Sequence, residues 1–223
     1  MQRHFEKELE SLQTTLIKMG SAAEDALRVS IASLLERSAA KAQAVIDGDA
    51  RINSLEMEID NAIVDLLALQ QPVAVDLRTI LAAQKINNDL ERIGDHAVNI
   101  AQSALSLAQR RQDVLLELPR MAEIVQQMVR DALDGFIHRE VSLGMKVLEQ
   151  DDLIDDMNKG MTRQVIQLMK TDQKSIEAGL DLIRVSRNLE RVADLATNIA
   201  EEVIFIAQAR IVKHNAADLP RTP

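Results

Sequence analysis

Residues 90–101 read Leu90-Glu91-Arg92-Ile93-Gly94-Asp95-His96-Ala97-Val98-Asn99-Ile100-Ala101, and residues 189–200 read Leu189-Glu190-Arg191-Val192-Ala193-Asp194-Leu195-Ala196-Thr197-Asn198-Ile199-Ala200. At an offset of 99 the two stretches agree at eight of twelve positions. On a helix, residues four apart share a face, so Glu91, Asp95 and Asn99 form one ladder of oxygen donors and Glu190, Asp194 and Asn198 a second. The other side of each stretch carries Leu90, Ile93, Ala97, Ile100, Ala104 and Leu107, matched by Leu189, Val192, Ala196, Ile199, Val203 and Ile206. Apolar residues at three-and-four spacing are the core stripe of an amphipathic helix. Carboxylates four apart repel by a few tenths of a kcal/mol. Both copies keep theirs, so a cation or a partner is the expected relief.

The pattern extends outward in helical period. Phe5, Leu9, Leu12, Leu16, Met19, Ala23 and Leu27 open it, and it continues through Ile31, Leu34 and Leu35 to Ala42 and Ile46. This predicts one helix of roughly forty residues, about 60 Å long, which Asp47-Gly48-Asp49 ends while capping the next. The second helix carries Ile52, Leu55, Ile59, Ile63, Leu66 and Leu67 and stops before Gln71-Pro72, because the residue preceding proline disfavours helix. Asp76-Leu77-Arg78 starts a third, which holds the first ladder and runs to about Arg111.

Beyond Pro119 the plan repeats. Met121, Val125, Met128, Val129 and Phe136 stand 102 residues after Met19, Ala23, Ala26, Leu27 and Leu34. The offset falls to 99 past a short connection at 171–175. The sequence therefore predicts an all-α fold: a tandem duplication of a three-helix bundle with six long helices. Residues 1–115 form the first bundle, 116–212 the second, and 213–223 a flexible tail. A period near 100 residues in two copies does not fit a short-repeat solenoid.

A second set of acids sits at matching places. Asp49 and Asn53 are predicted to open the second helix, Asp151 and Asp155 the fifth. Glu56 and Asp60 are not copied, Asn158 and Thr162 taking their places.

Composition excludes several classes of function. Three Phe and no Trp or Tyr leave few platforms for stacking bases or sugars, and a net charge of −9 opposes nucleic acid and anionic membranes alike. With no Cys there are no disulfides, thiolate nucleophiles or cysteine-based metal sites. No apolar run approaches the ~18 residues that span a bilayer. No Gly-x-Ser-x-Gly elbow and no Gly-rich loop followed by Lys-Ser or Lys-Thr is present. The expectation is a soluble cytoplasmic protein that is not an enzyme.

Oxygen donors alone suit Mg, Ca, Mn or iron. A di-iron centre of ferritin type requires two Glu-x-x-His motifs. None exists, since Met1, Ile93, Gly135 and Ile211 stand three residues before the four histidines. The duplicated ladders read as cation ligands or, alternatively, as solvated or partner-docking faces. His96 has Leu195 as its counterpart and reads as an ordinary satisfied histidine, and Arg92 as a surface partner of Asp89 or Asp95. Gly94 and Ala193, small at one site, predict close approach of a neighbouring helix, and the nine Met read as core packing.

Three segments together carry a resemblance. Gln71-Pro72-Val73-Ala74-Val75-Asp76-Leu77-Arg78, then Leu90-Glu91-Arg92-Ile93-Gly94-Asp95, then Arg187-Asn188-Leu189-Glu190-Arg191-Val192-Ala193-Asp194 resemble the PhoU family of phosphate-transport regulators. The likeness spans nearly the whole chain. It implies a cytoplasmic adaptor, often a homodimer, that represses the phosphate-starvation response when phosphate is plentiful. In that family the adaptor links the ATPase of a high-affinity phosphate ABC transporter to a sensor histidine kinase, meets the membrane only through those partners and does not bind nucleic acid. The resemblance also implies metal clusters on the Glu/Asp-x-x-x-Asp motifs, which fall at Glu91, Asp95, Glu190 and Asp194; the matching acids Asp49, Asp151 and Asp155 are read from their spacing as further candidate ligands. It does not choose among Fe, Zn, Mn and Mg. Asn53 stands where an acid is the better ligand, so the first-half site is expected to be the weaker. The rival readings are a spectrin-like structural scaffold, an accessory protein of a low-affinity phosphate transporter, and a phosphate-independent paralogue controlling metabolite tolerance.

Overall fold

The structure, a computed structural model, describes residues 2–70, 72, 74–110 and 115–208. The expected tail and the far end of the third helix at Arg111 lie outside those residues. Among the described residues the regular structure is helical: α1 Gln2–Leu35, α2 Ala39–Gln70, α3 Ala74–Ala108, α4 Leu118–His138, α5 Val141–Leu148, α6 Asp151–Thr171 and α7 Ile176–Gln208, with a 3-10 turn at Gln173–Ser175 before α7. Two sets of three helical legs result, α1, α2, α3 and α4, α5 with α6, α7. The second leg of the second set is broken at Glu149 and Gln150. This is the duplicated three-helix plan.

The first interhelix turn is not where periodicity puts it. α1 ends at Leu35, and Asp47-Gly48-Asp49 lies inside the continuous α2, so those residues neither terminate nor cap a helix. Arg37 adopts φ 52. That left-handed residue lets Ser38 N–H reach back to Ser33 C=O at 2.9 Å, closing the orphaned carbonyls of α1. Ser38 Oγ then accepts from Lys41 N–H at 3.3 Å, capping α2. The second half repeats the device 102 residues later: Arg139 has φ 53 and Glu140 N–H reaches Gly135 C=O at 2.9 Å. Elsewhere the punctuation is as expected. α2 stops before Pro72, and Pro119 stands in the first turn of α4, where its missing N–H costs nothing.

One apolar core runs through both halves. The predicted stripe of α3, Leu90, Ile93, Ala97, Ile100, Ala104 and Leu107, is buried throughout, and that of α7 is buried from Leu189 to Val203, with Ile206 half-buried at its end. α3 and α7 pack on each other as the central pair, and each gathers the other two legs of its own half. Their seam is polar at its edges: Ser106 Oγ donates to Asp181 Oδ2 at 2.6 Å, and Lys85 pairs with Glu202. Gly94 explains itself here. A Cβ at that position would stand 2.9 Å from Ile52 Cδ1 of α2, so the small residue admits the close approach.

Not every methionine belongs to this core. Met19, Met121, Met128 and Met161 are buried, but Met57 is 60% exposed on the solvent side of α2, which corrects the reading of the methionines as core packing.

Candidate metal centre

Asp155 lies one turn into α6, and Glu190 and Asp194 lie one turn apart on the facing surface of α7. One carboxylate oxygen from each falls within 4.8 Å of the others. Two oxygens that share a hard cation at 2.0–2.6 Å can be separated by up to about 5 Å, so this cluster of three acids could hold a metal ion. The chemistry of the donors supports the fit. Glu190 Oε2 is buried without a hydrogen-bond donor, and its nearest cation, Arg191 Nε, stands at 3.6 Å. Arg191 also reaches Asp194 Oδ2 at 3.7 Å, so a single guanidinium serves two carboxylates. Burial and then the neighbouring Glu190 and Asp155 raise the Asp194 carboxyl above its ordinary range, against the lowering effect of Arg191 and His96. Repelling acids held together with one buried orphan oxygen are the electrostatics that a bound cation reverses. Asp151 opens α6 a turn before Asp155 and stands outside the three-residue cluster.

The first half brings its acids near one another without completing the same set. Glu91 is raised by burial and then by Asp95, Glu56 and Asp49, with Arg92 opposing, which places all four acids around one stretch of α2 and α3. The position equivalent to Asp155 is Asn53, whose Nδ2 donates to Asp49 Oδ2 at 3.0 Å. An amide there supplies a neutral oxygen and spends its donor on the adjacent carboxylate. Asp49 Oδ1 and Asn53 Oδ1 are both buried and accept no hydrogen bond. Asp60 is taken up structurally, its Oδ1 accepting from Gln84 Nε2 and Asn87 Nδ2, each at 2.9 Å. Of the sequence-level candidates, then, Asp155, Glu190 and Asp194 converge within ligand distance of one another. Asp49, Glu91 and Asp95 form a looser group on the opposite repeat.

His96 is the satisfied residue its lone status suggested: Nδ1 lies 2.8 Å from Asn188 Oδ1 across the α3–α7 seam, and burial lowers its pKa. Arg92 pairs with Asp89 at 3.8 Å. Asp89 itself, read from the sequence only as a surface partner of Arg92, is the residue whose role was missed. It is buried against α7, and burial pushes its carboxyl up to about 6 despite Arg92, a hydrogen bond from Asn198 and Lys85; Glu202 adds to the rise. Its place beside Leu90, between Ile86 and Ile93 on the inward face of α3, was the available signal.

A family model described as the PhoU domain matches residues 16–104 and again 118–203, one match per repeat. The chain belongs to the PhoU family. It is 33% identical over 213 residues to the phosphate-specific transport system accessory protein PhoU homolog of Clostridium acetobutylicum, covering 95% of this chain and 97% of that one. With the phosphate-specific transport system accessory protein PhoU of Escherichia coli K12 it shares 32% over 215 residues, 96% and 89% of the two chains. The crystal structure of PhoU from Pseudomonas aeruginosa superposes with a TM-score of 0.90 at 35% identity, over 92% of this chain and all of that one. The phosphate transport system regulatory protein PhoU from Streptococcus pneumoniae gives 0.85 at 28%, over 94% and 99%. Within this PhoU fold no described helix is long and apolar enough to cross a membrane.

Proposed function

We propose that this chain is a non-enzymatic, cytoplasmic accessory protein of a phosphate transport system, acting as a negative regulator of phosphate uptake and of phosphate-starvation signalling. The observation that carries this reading is the match along nearly the whole chain, in sequence and in fold, to proteins bearing the accessory and regulatory names. In this reading it works as a homodimer, couples the transporter's ATPase to a sensor histidine kinase, and has residues 1–115 and 116–212 as its two domains. The scaffold reading has no particular observation in its favour, because a solvated helix face does not require three carboxylates to converge.

The same proposal assigns a cation to the acids. Asp155, Glu190 and Asp194 would hold it in the second repeat, with Asp151 beside them; Glu91, Asp95 and Asp49 would form the weaker site of the first. A bound ion supplies positive charge, which offsets the mutual repulsion of the ladders and ties α6 to α7. The three side chains themselves fix the register between the two helices, and Arg191 offsets part of their charge.

The test is genetic and quantitative. In a strain lacking its own copy of the gene, the wild-type chain should hold a phosphate-starvation reporter low in high phosphate, and release it when phosphate is withdrawn. The Asp95→Ala/Asp194→Ala variant should leave the reporter raised in both media. Failure of the wild-type chain to repress in its native host sinks the regulatory reading; full repression by the double variant sinks only the role of the cation.

A further inference from the structure

α2 presents two apolar faces. One buries Ile52, Ile59, Ile63 and Leu66 in the core. The other shows Ala50, Ser54, Met57, Asn61, Val64 and Ala68, all exposed, with Met57 at 60% and Val64 at 62%. Their spacing is four, three, four, three, four, the seam of a helix that packs lengthwise on another helix, with Asn61 as a polar register residue within it. Neither the bundle nor the acidic clusters use this face.

The duplication supplies an internal control. At the offset of 102, α6 carries Asp152, Asp156, Lys159, Arg163, Ile166 and Lys170 in the same places. Five of six are charged, so the fold tolerates an ordinary solvated surface here. The apolar seam is a property of the first repeat alone.

The banks of the seam are acidic. On the side of α1, Arg51 lines a cleft of about 250 Å³ with Ala22, Ala26 and Val29, and Glu58 and Asp65 line a second of about 180 Å³ with Leu12 and Thr15. On the side of α3 lie Glu56 and Asp60, and behind them Glu91 and Asp95. Six carboxylates thus flank the seam against two guanidiniums, Arg51 beside it and Arg92 next to Glu91. An apolar stripe between acidic banks is the complement of an amphipathic helix whose own stripe is bordered by Lys and Arg.

We propose that this face of α2 docks a basic amphipathic helix of a partner protein. A second copy of the chain is the poorer occupant. Antiparallel pairing of α2 with its copy, Met57 opposite Asn61, would set Glu58 beside Glu58 and Asp60 beside Asp60 at its centre; Arg51 beside Asp65 at the two ends offsets part of this, whereas a basic helix meets the acids of both banks with opposite charge. The proposal rests on the accessory reading only for the existence of a protein partner, and it makes no use of a bound cation.

A binding experiment with full-length protein decides it, using as probe a fluorescent, amidated 21-residue peptide of Leu and Lys with Leu at three-and-four spacing. In 0.15 M salt the peptide should bind at least tenfold tighter than a scrambled peptide of equal composition. The charge-neutral Met57→Gln/Val64→Gln variant should weaken it at least tenfold, while Ile166→Gln on α6 changes it less than twofold. Hydrogen exchange on the unsubstituted protein, which needs no variant to fold, should slow on peptide addition at residues 50–68 and not at 152–170. Equal binding of the two peptides, an unaffected Gln pair or protection elsewhere would overturn the assignment. So would a wild-type dimer in sedimentation equilibrium that the Gln pair dissociates, since the occupant would then be a second copy. None of these outcomes bears on the reporter experiment, so the two readings fail separately.

Discussion

Asp194→Asn should change the sign of its effect on stability according to whether a cation is present. The variant keeps the shape of the side chain and removes one charge from a cluster whose oxygens lie within 4.8 Å of one another. A pair of unit charges at that distance is worth about 1 kcal/mol in a water-like dielectric and about 3 kcal/mol at an effective dielectric of 20. Asp194 is 42% exposed, so the lower figure applies. Repulsion from Asp155 and Glu190, less the attraction of Arg191 at 3.7 Å, leaves a net gain on neutralisation of about 0.6 kcal/mol. For a chain of this size that is roughly 1–2 °C in Tm. With Mn²⁺ at one hundred times its Kd, the wild type gains about 2.7 kcal/mol. Losing one of three carboxylates and at least about tenfold in affinity cuts the variant's gain to about 1.4 kcal/mol or less. Thermal unfolding at pH 7.5 should therefore find the variant more stable than wild type in chelator, and no more stable once the ion is added. A variant that is no more stable in chelator, together with equal Mn²⁺ uptake by both proteins, would refute the account of the cluster.

Two further perturbations test neighbouring groups. Asn53→Asp supplies the carboxylate that Asp155 provides in the other repeat, so titration calorimetry with Mn²⁺ should show a second binding event or at least a tenfold stronger weak one, at the cost of lower stability in chelator. Asp89 binds its proton more tightly folded than unfolded, its carboxyl moving from 3.8 to about 6, so stability falls as pH rises through that window, by about 3 kcal/mol at most. The groups facing it are Lys85 and Arg92 on its own helix and Asn198 and Glu202 on α7. Asp89→Asn should accordingly raise Tm at pH 7.5 and leave it nearly unchanged at pH 3.5, and an equal effect at the two pH values would show that the carboxyl is not the cause.

The core was legible because burial obeys the helical period. Each apolar position of the two ladder helices up to Val203 went where a three-and-four stripe sends it. The turn between α1 and α2 was not legible: apolar residues continue in register across it, and the left-handed residue that breaks the helix is Arg37, without a glycine to announce it. Asn53 and Asp155 could be paired from the repeat offset, but nothing in spacing along one helix states that Asp155 on α6 meets Glu190 and Asp194 on α7. Asp89 shows the same limit, its chemistry coming from α7, more than one hundred residues away in sequence. Met57 exposes the converse error. Periodicity identifies an apolar position on a helix, yet α2 has two apolar faces and only packing decides which one is buried.

Duplication makes each departure between the repeats informative, because the same fold is built twice with different residues at equivalent places. Asn53 against Asp155 removes one carboxylate from the first repeat. The seam from Ala50 to Ala68 against charged α6 adds an apolar face to that same repeat. On the readings proposed above both changes move in one direction: they weaken cation binding in the first half and give it a surface for a protein, while the second half keeps the converged carboxylates and a charged exterior on α6. The shared α3–α7 seam joins the two: Asp89, two residues from the Glu91 ladder, is buried against Asn198, one turn beyond Asp194, so a charge placed at the cluster of the second repeat lies along the helix that contacts the first. If the variants behave as argued, a cation at the second-repeat cluster should alter affinity for a basic helix at α2 only through that seam, and Asp89→Asn should weaken the coupling while leaving each separate affinity in place.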